Sequence, residues 1–385
     1  MAGDPRLAGG LAALERAGSR RQRRVLDSPQ GPHATVDGRA LANFSSNDYL
    51  GLANHPRLRA AAHAAIDAYG VGAGASPLVS GHLRAHEEAE RRFARFSNLP
   101  RALLFASGYA ANLGVIAALC DRHAEVFGDK VNHACLHDGA LLSRATYTRY
   151  PHLDMEGLAR ALAASSAEVK LIATDAVFSM DGDIAPLPEM LRLAEAHDAW
   201  LLVDDAHGVG VLGATGRGSL EHFGLASPRI VYMATLGKAL GGYGAFVAGA
   251  PEVIEWLVQR ARTLIYSTAL PPMAAAVAVA AMDVIDEEPQ RVARLGERIA
   301  EFRGAAAAAG LDLLPSRTAI QPLVVGDAEE AVSVSSRLAE QGFLVPAIRP
   351  PTVPEGTARL RISLCADHAS AEVAALAAAL AGHPA

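Results

Sequence analysis

Between about residues 100 and 250 the chain alternates short, continuous apolar runs with stretches of helical spacing. "RALLFASGYAANLGVIAAL" passes from an apolar run through Ser-Gly into a helical pattern; "VKLIATDAVFSMDGD", "AWLLVDDAHGVGVLG" and "RIVYMATLGKALGG" each end an apolar run in a polar turn. Unbroken apolar strands separated by helices are what a parallel sheet covered on both faces requires, which predicts an α/β fold. Beyond about residue 270, "LPPMAAAVAVAAMDVIDEEPQRVARLGERIAEFRGAAAAAG" predicts two or more helices broken at "DEEPQR". The runs "AIQPLVVG", "AEEAVSVSSRLAEQG" and "TARLRISL" predict a smaller α/β unit. The N-terminal "LAGGLAALERAG" reads as an amphipathic helix. The pattern divides the chain into an N-terminal helical arm (1–45), a large domain (46–285) and a small C-terminal α/β domain (286–385).

Composition narrows the class. With 385 residues, 51% hydrophobic and 20% charged, the chain can bury a large core, and its formal net charge of −6 gives no basis for a nucleic-acid surface. The one basic cluster, "RAGSRRQRR", reads as the polar side of the N-terminal helix. Cys120, Cys135 and Cys365 are widely spaced, so neither a zinc site nor a disulfide framework is expected, in keeping with a reducing cytoplasm. No apolar run approaches the roughly 18 residues that a membrane span needs, and Asp4 and Glu15 argue against a signal peptide.

Open α/β sheets bind ligands at the carboxyl ends of their strands, and four such ends carry unusual residues here. Ser107, Gly108 and Tyr109 follow "RALLFA" and open a helix, whose free N–H groups suit a phosphate; a plain strand-to-helix turn would look the same. Ser179 follows "LIATDAVF". Asp204, Asp205 and His207 follow "AWLLV", where a carboxylate can also serve only as a helix cap. Thr235 and Lys238 lie in "ATLGKALGG", a lysine set among glycines and small apolar residues. A desolvated lysine amine has a lowered pKa and becomes a nucleophile toward carbonyl compounds. Together the four ends describe a site for pyridoxal 5′-phosphate, with a lysine for its aldehyde, an aspartate for its ring nitrogen and glycines that admit it closely.

Seven motifs, "NFSSNDYLGL", "GAGASPLVSGH", "NHACLHDGA", "DAVFSMDGD", "VDDAHGVGVLG", "TLGKALGGYG" and "AIRPPTVPEGTARLRISL", resemble the α-oxoamine synthase family of fold-type I pyridoxal-phosphate enzymes, in one order from about Arg21 to the last helix. The resemblance implies a large domain built on a mostly parallel seven-stranded sheet, a smaller C-terminal α/β domain, and a cytoplasmic homodimer. It implies that Lys238 carries the cofactor, that Asp204 pairs with the pyridine nitrogen, and that Ser179 and His207 hydrogen-bond the phenolic oxygen. His133 would stack on the ring, where the residues alone favour a core or turn histidine. The backbone of Gly108 and Tyr109 and the Thr235 hydroxyl would hold the phosphate, helped by Ser267 or Thr268 of a second subunit. Arg361, with Arg359 as rival, would pair with the amino-acid carboxylate, and Arg21 and Thr352 would contact the acyl substrate. No metal is implied. Cys135 stands where many members have serine.

The wording of "NFSSNDYLGL" and "IRPPTVPEGTARLR" is similar to the branch that condenses L-alanine with a pimeloyl thioester, on coenzyme A or a carrier protein, releasing carbon dioxide and thiol in biotin biosynthesis. Other members, such as glycine C-acetyltransferase, and the pyridoxal-phosphate aminotransferases share the lysine and the aspartate.

Overall fold

Seven strands form the central sheet in the computed structural model, which describes residues 4–16, 20–21 and 23–382. In chain order they are β1 (Arg101–Phe105), β2 (Ala124–Asp129), β3 (Thr146–Tyr150), β4 (Val169–Asp175), β5 (Ala199–Asp204), β6 (Ile230–Thr235) and β7 (Ala245–Gly249). Their spatial order is β1-β7-β6-β5-β4-β2-β3. Only β7 runs against its neighbours, so the other six place their carboxyl ends along one edge.

The unbroken apolar runs are explained by burial on both faces. Along β6, Ile230, Tyr232 and Ala234 pack into one core cluster while Val231 and Met233 pack into the other. Phe93, from the helix Arg84–Phe96, stacks on Phe246 of β7 with ring centroids 4.2 Å apart.

The C-terminal part is built on the strand Ala358–Ser363, which pairs antiparallel with Ile320–Gly326 and with Ala347–Ile348. The helical expectation for residues 1–45 holds only over Pro5–Arg16, whose Leu7, Leu11 and Leu14 lie on one exposed face. Residues 33–43 instead form an antiparallel ribbon, His33–Val36 with Arg39–Asn43, onto which Phe343 and Leu344 add in parallel. The two strands are joined by the two-residue turn Asp37-Gly38, with φ +51° and +74°, a local hairpin signal; only the third strand lies some 300 residues away, beyond local periodicity. Part of the basic cluster, residues 17–19 and 22, lies outside the described residues.

Loop 179–183 joins the two parts. Arg359 pairs with Asp181, Arg361 Nε donates to the Ser179 carbonyl at 2.6 Å, and the Ser316 and Thr318 hydroxyls donate to the Gly182 carbonyl at 2.8 and 3.1 Å. Gly182 has φ +70°, and a Cβ there would stand 2.5 Å from the Ile320 carbonyl oxygen, so this approach tolerates only glycine. From the other side, His152 bridges Asp129, at the end of β2, and Asp183.

Candidate active site

The carboxyl edge of the sheet gathers the residues singled out in the sequence. Asp204 closes β5 opposite Asp175, which closes β4. Both are buried. One Asp204 oxygen accepts from the Ala206 N–H at 3.0 Å and the other from Asn112 Nδ2 at 2.6 Å. Asp175 accepts from the His133 N–H at 2.6 Å, and burial, reinforced by the charge of Asp204, pushes its carboxyl well above the usual carboxylate range.

Lys238 follows β6 on the turn Leu236–Gly242. Gly241 in that turn has φ +63°, and a Cβ there would lie 2.4 Å from the Leu52 backbone carbon. That glycine therefore lets "NDYLGL" close against the lysine loop, a different reason from the expected approach to cofactor. The Lys238 amine lies 2.8 Å from His207 Nε2. Desolvation lowers its pKa to about 8, against the opposing pull of Asp204 and Asp175. His207 is buried, and desolvation followed by the Lys238 charge holds it well below the ordinary histidine range, hence neutral. Its Nδ1 meets the Tyr49 hydroxyl at 2.7 Å.

At the end of β1, the Ser107 hydroxyl accepts from the Ala110 N–H at 3.1 Å and caps the helix Gly108–Leu119. The N–H groups of Gly108 and Tyr109 have no hydrogen-bond partner among the described residues, as the first turn of a helix predicts. Thr235 ends β6 beside them: a Cβ built on Gly108 would lie 3.9 Å from Thr235 Cβ. The Tyr109 side chain is exposed and donates to Asp138.

His133 caps the helix Ala134–Ser143, accepting from the Cys135 N–H at 3.3 Å, with Cys135 Sγ 2.9 Å from the same Nδ1. Desolvation keeps it below the ordinary histidine range. Burial raises the Cys135 thiol, so it stays protonated in its place between His133 and Asn112.

The two rival arginines separate cleanly. Arg359 is neutralised by Asp181. Arg361 is buried and contacts the Ser179 carbonyl, Asn47 Oδ1 at 3.2 Å, Ser363 Oγ at 2.9 Å and the Tyr49 hydroxyl at 3.5 Å, with no carboxylate partner among the described residues. A buried guanidinium without a counter-ion is costly unless a bound anion completes it. The Ser179 hydroxyl is half-buried and free of partners among the described residues. Arg21 and Thr352 are exposed, and the Arg349 guanidinium donates to the Arg20 carbonyl, tying their two segments together at the rim. Ser267 and Thr268 line a cavity of about 290 Å³ with His82 and Glu90. Sequence reading did not assign roles to Asn112, Asp175, Asn47 and Tyr49. Asn112 carried a signal, an amide inside an otherwise apolar helix; Tyr49 and Asn47 lay unassigned within "NFSSNDYLGL".

This donor set fits pyridoxal 5′-phosphate: a low-pKa amine, a buried aspartate, and unpaired helix N–H groups beside a threonine hydroxyl, all along one sheet edge. Residues 39–380 match the family described as aminotransferase class I and II, and the chain belongs to it, within the α-oxoamine synthase branch of pyridoxal-phosphate enzymes. It is 56% identical over 363 residues to the 8-amino-7-oxononanoate synthase of Methylobacillus flagellatus, covering 94% of this chain and 92% of that one. Its backbone is similar to a serine palmitoyltransferase variant from S. paucimobilis with bound PLP–myriocin aldimine (TM-score 0.91, 30% identity, 98% and 96% coverage). It is also similar to the 8-amino-7-oxononanoate synthase of Francisella tularensis (TM-score 0.77, 31% identity, 89% and 97% coverage). No helix among the described residues is long and apolar enough to cross a membrane.

Proposed function

We propose that the protein condenses L-alanine with a pimeloyl thioester to give 8-amino-7-oxononanoate, carbon dioxide and free thiol, acting as a cytoplasmic homodimer. Bound pyridoxal 5′-phosphate supplies a conjugated electron sink for a carbanion at the amino-acid Cα. The chain's own groups do the rest. Lys238 would hold the cofactor aldehyde, and its amine, when free, would be placed to take the Cα proton; positioned proton transfer of this kind is typically worth about 10²–10⁴-fold. Asp204 keeps the pyridine nitrogen protonated. The N–H groups of Gly108 and Tyr109 and the Thr235 hydroxyl hold the phosphate. Ser179 and His207 face the phenolic oxygen, and His133 covers the ring.

Arg361 pairs with the alanine carboxylate in the bidentate geometry that guanidinium favours. Once a bond from Cα to the thioester carbonyl has replaced the thiol and the carboxylate has left as carbon dioxide, Lys238 would be placed to return a proton to Cα. Arg21 and Thr352 meet the acyl chain at the rim. Arg361, a buried cation with no carboxylate partner among the described residues, linked through Tyr49 and His207 to a lysine of lowered pKa, is the observation that carries this reading.

Mixing the protein with pyridoxal 5′-phosphate, L-alanine and a pimeloyl thioester should release carbon dioxide and thiol and yield a product of the mass of 8-amino-7-oxononanoate. Turnover with glycine and acetyl thioester in its place, or a keto acid formed without carbon dioxide, would replace this reading with one of its relatives.

A further inference from the structure

Three groups surround the Tyr49 hydroxyl: His207 Nδ1 at 2.7 Å, Asn47 Oδ1 at 3.0 Å and Arg361 Nη2 at 3.5 Å. Arg361 only donates, and its Nη1 also donates to Asn47 Oδ1 at 3.2 Å, so that amide oxygen is fixed as an acceptor. Tyr49 has one proton. It can go to Asn47 or to His207, not to both.

Each choice gives a complete hydrogen-bond chain. In the first, the Lys238 ammonium donates to His207 Nε2, His207 Nδ1–H donates to Tyr49, and Tyr49 donates to Asn47. In the second, Tyr49 donates to Nδ1, and Nε2–H points into the cleft as a donor. The first suits a lysine that is free and protonated. The second suits a cleft whose occupant presents an oxygen to Nε2.

We propose that Tyr49 is a positioning residue whose single hydroxyl proton selects the tautomer of His207, switching that imidazole from acceptor of the Lys238 ammonium to hydrogen-bond donor into the cleft. Because the same hydroxyl faces Arg361, an anion bound there acts on the switch through a shared neighbour. Arg361 and His133 also face His207, and Asp204, Asp175, Arg361 and Cys135 face Lys238. All of these remain in place when only the Tyr49 oxygen is removed.

Tyr49→Phe leaves Nδ1 without a partner. A buried N–H left unpaired is rarer and costlier than an unpaired lone pair, so the variant settles in the Nε2–H tautomer, which cannot accept from the ammonium. In the full-length chain without added cofactor, the pH midpoint for acylation of the Lys238 amine, read by peptide mass, should fall by roughly one unit in Tyr49→Phe. An unchanged midpoint would overturn the proposal. With pyridoxal 5′-phosphate bound, the variant lacks an acceptor for Lys238 whenever that amine is free and protonated during turnover, so kcat should fall roughly tenfold while KM for alanine stays within about twofold. A loss carried by KM alone would count against it. The kinetic part rests on the proposed function, whereas the labelling midpoint does not depend on any substrate assignment, so the two can fail separately. If Tyr49→Phe does not fold, neutron diffraction of the wild-type chain below the amine midpoint decides: deuterium on Nδ1 supports the switch, and deuterium on Nε2 refutes it.

Discussion

The sheet edge and the strand Ala358–Ser363 are both built on paired strands but direct their polar side chains in different ways. At the edge, Asp204, His207 and Lys238 lie within a few residues of the ends of β5 and β6, so the backbone of two paired strands fixes them directly. Arg359 and Arg361 also sit on a paired strand, but both guanidinium groups reach into loop 179–183, which is pinned in turn by His152. The difference teaches which half sets chemistry and which sets substrate. His207 and Lys238 are set just past the ends of paired strands, while the Arg361 guanidinium, on a strand that is itself paired on both sides, takes its direction from the Ser179 carbonyl, Asn47 and Ser363.

The largest effect expected from breaking the edge is Lys238→Ala, which should abolish turnover while the phosphate contacts still retain cofactor; product release by mass spectrometry checks the first part and absorbance after gel filtration the second. Asp204→Asn keeps the shape and removes the charge. Its kcat should fall by roughly 10²–10³, the scale of losing a preorganised electrostatic partner, with KM for alanine little changed.

The opposite strand should respond through binding. Arg361→Lys loses the fork that grips a carboxylate and should raise KM for alanine by roughly 10–100-fold, with a smaller change in kcat. Arg359→Lys keeps a cation beside Asp181, and its KM should move less than about threefold. Equal responses from the two arginines would erase the distinction drawn from their partners.

Legibility in the sequence follows the same divide. Asp204, His207 and Lys238 could be read because a strand-ending polar residue after an apolar run is a local pattern. The choice between Arg359 and Arg361 could not, since both lie on one strand and only Asp181, 178 residues earlier, separates them. Asn112, Asp175 and Tyr49 matter through contacts 92, 42 and 158 residues away along the chain, which no periodicity encodes. In the ribbon at 33–43 the Asp37-Gly38 turn was a local signal, and only the third strand, Phe343 and Leu344, lay beyond the reach of periodicity.

The smallest expected effect concerns the pin behind the loop. Burial alone would lower the pKa of His152, yet its hydrogen bonds to Asp129 at 3.0 Å and Asp183 at 2.8 Å outweigh that and raise it to about 10. A histidine whose folded pKa lies above its unfolded value of 6.5 gives its full stabilisation below pH 6.5 and loses it as pH rises through about 10. His152→Gln keeps a hydrogen-bonding side chain and removes the charge. At pH 6 it should be less stable than the wild type by about 1–2 kcal/mol, a figure discounted for partial exposure to solvent. The gap should close as pH approaches 10.5, where the wild-type imidazole has itself become neutral. Urea midpoints at the two pH values, at one protein concentration, measure this directly. A gap of constant size would mean that His152 acts by shape alone. The pin would then be steric, and loop 179–183 would be held by shape and not by charge.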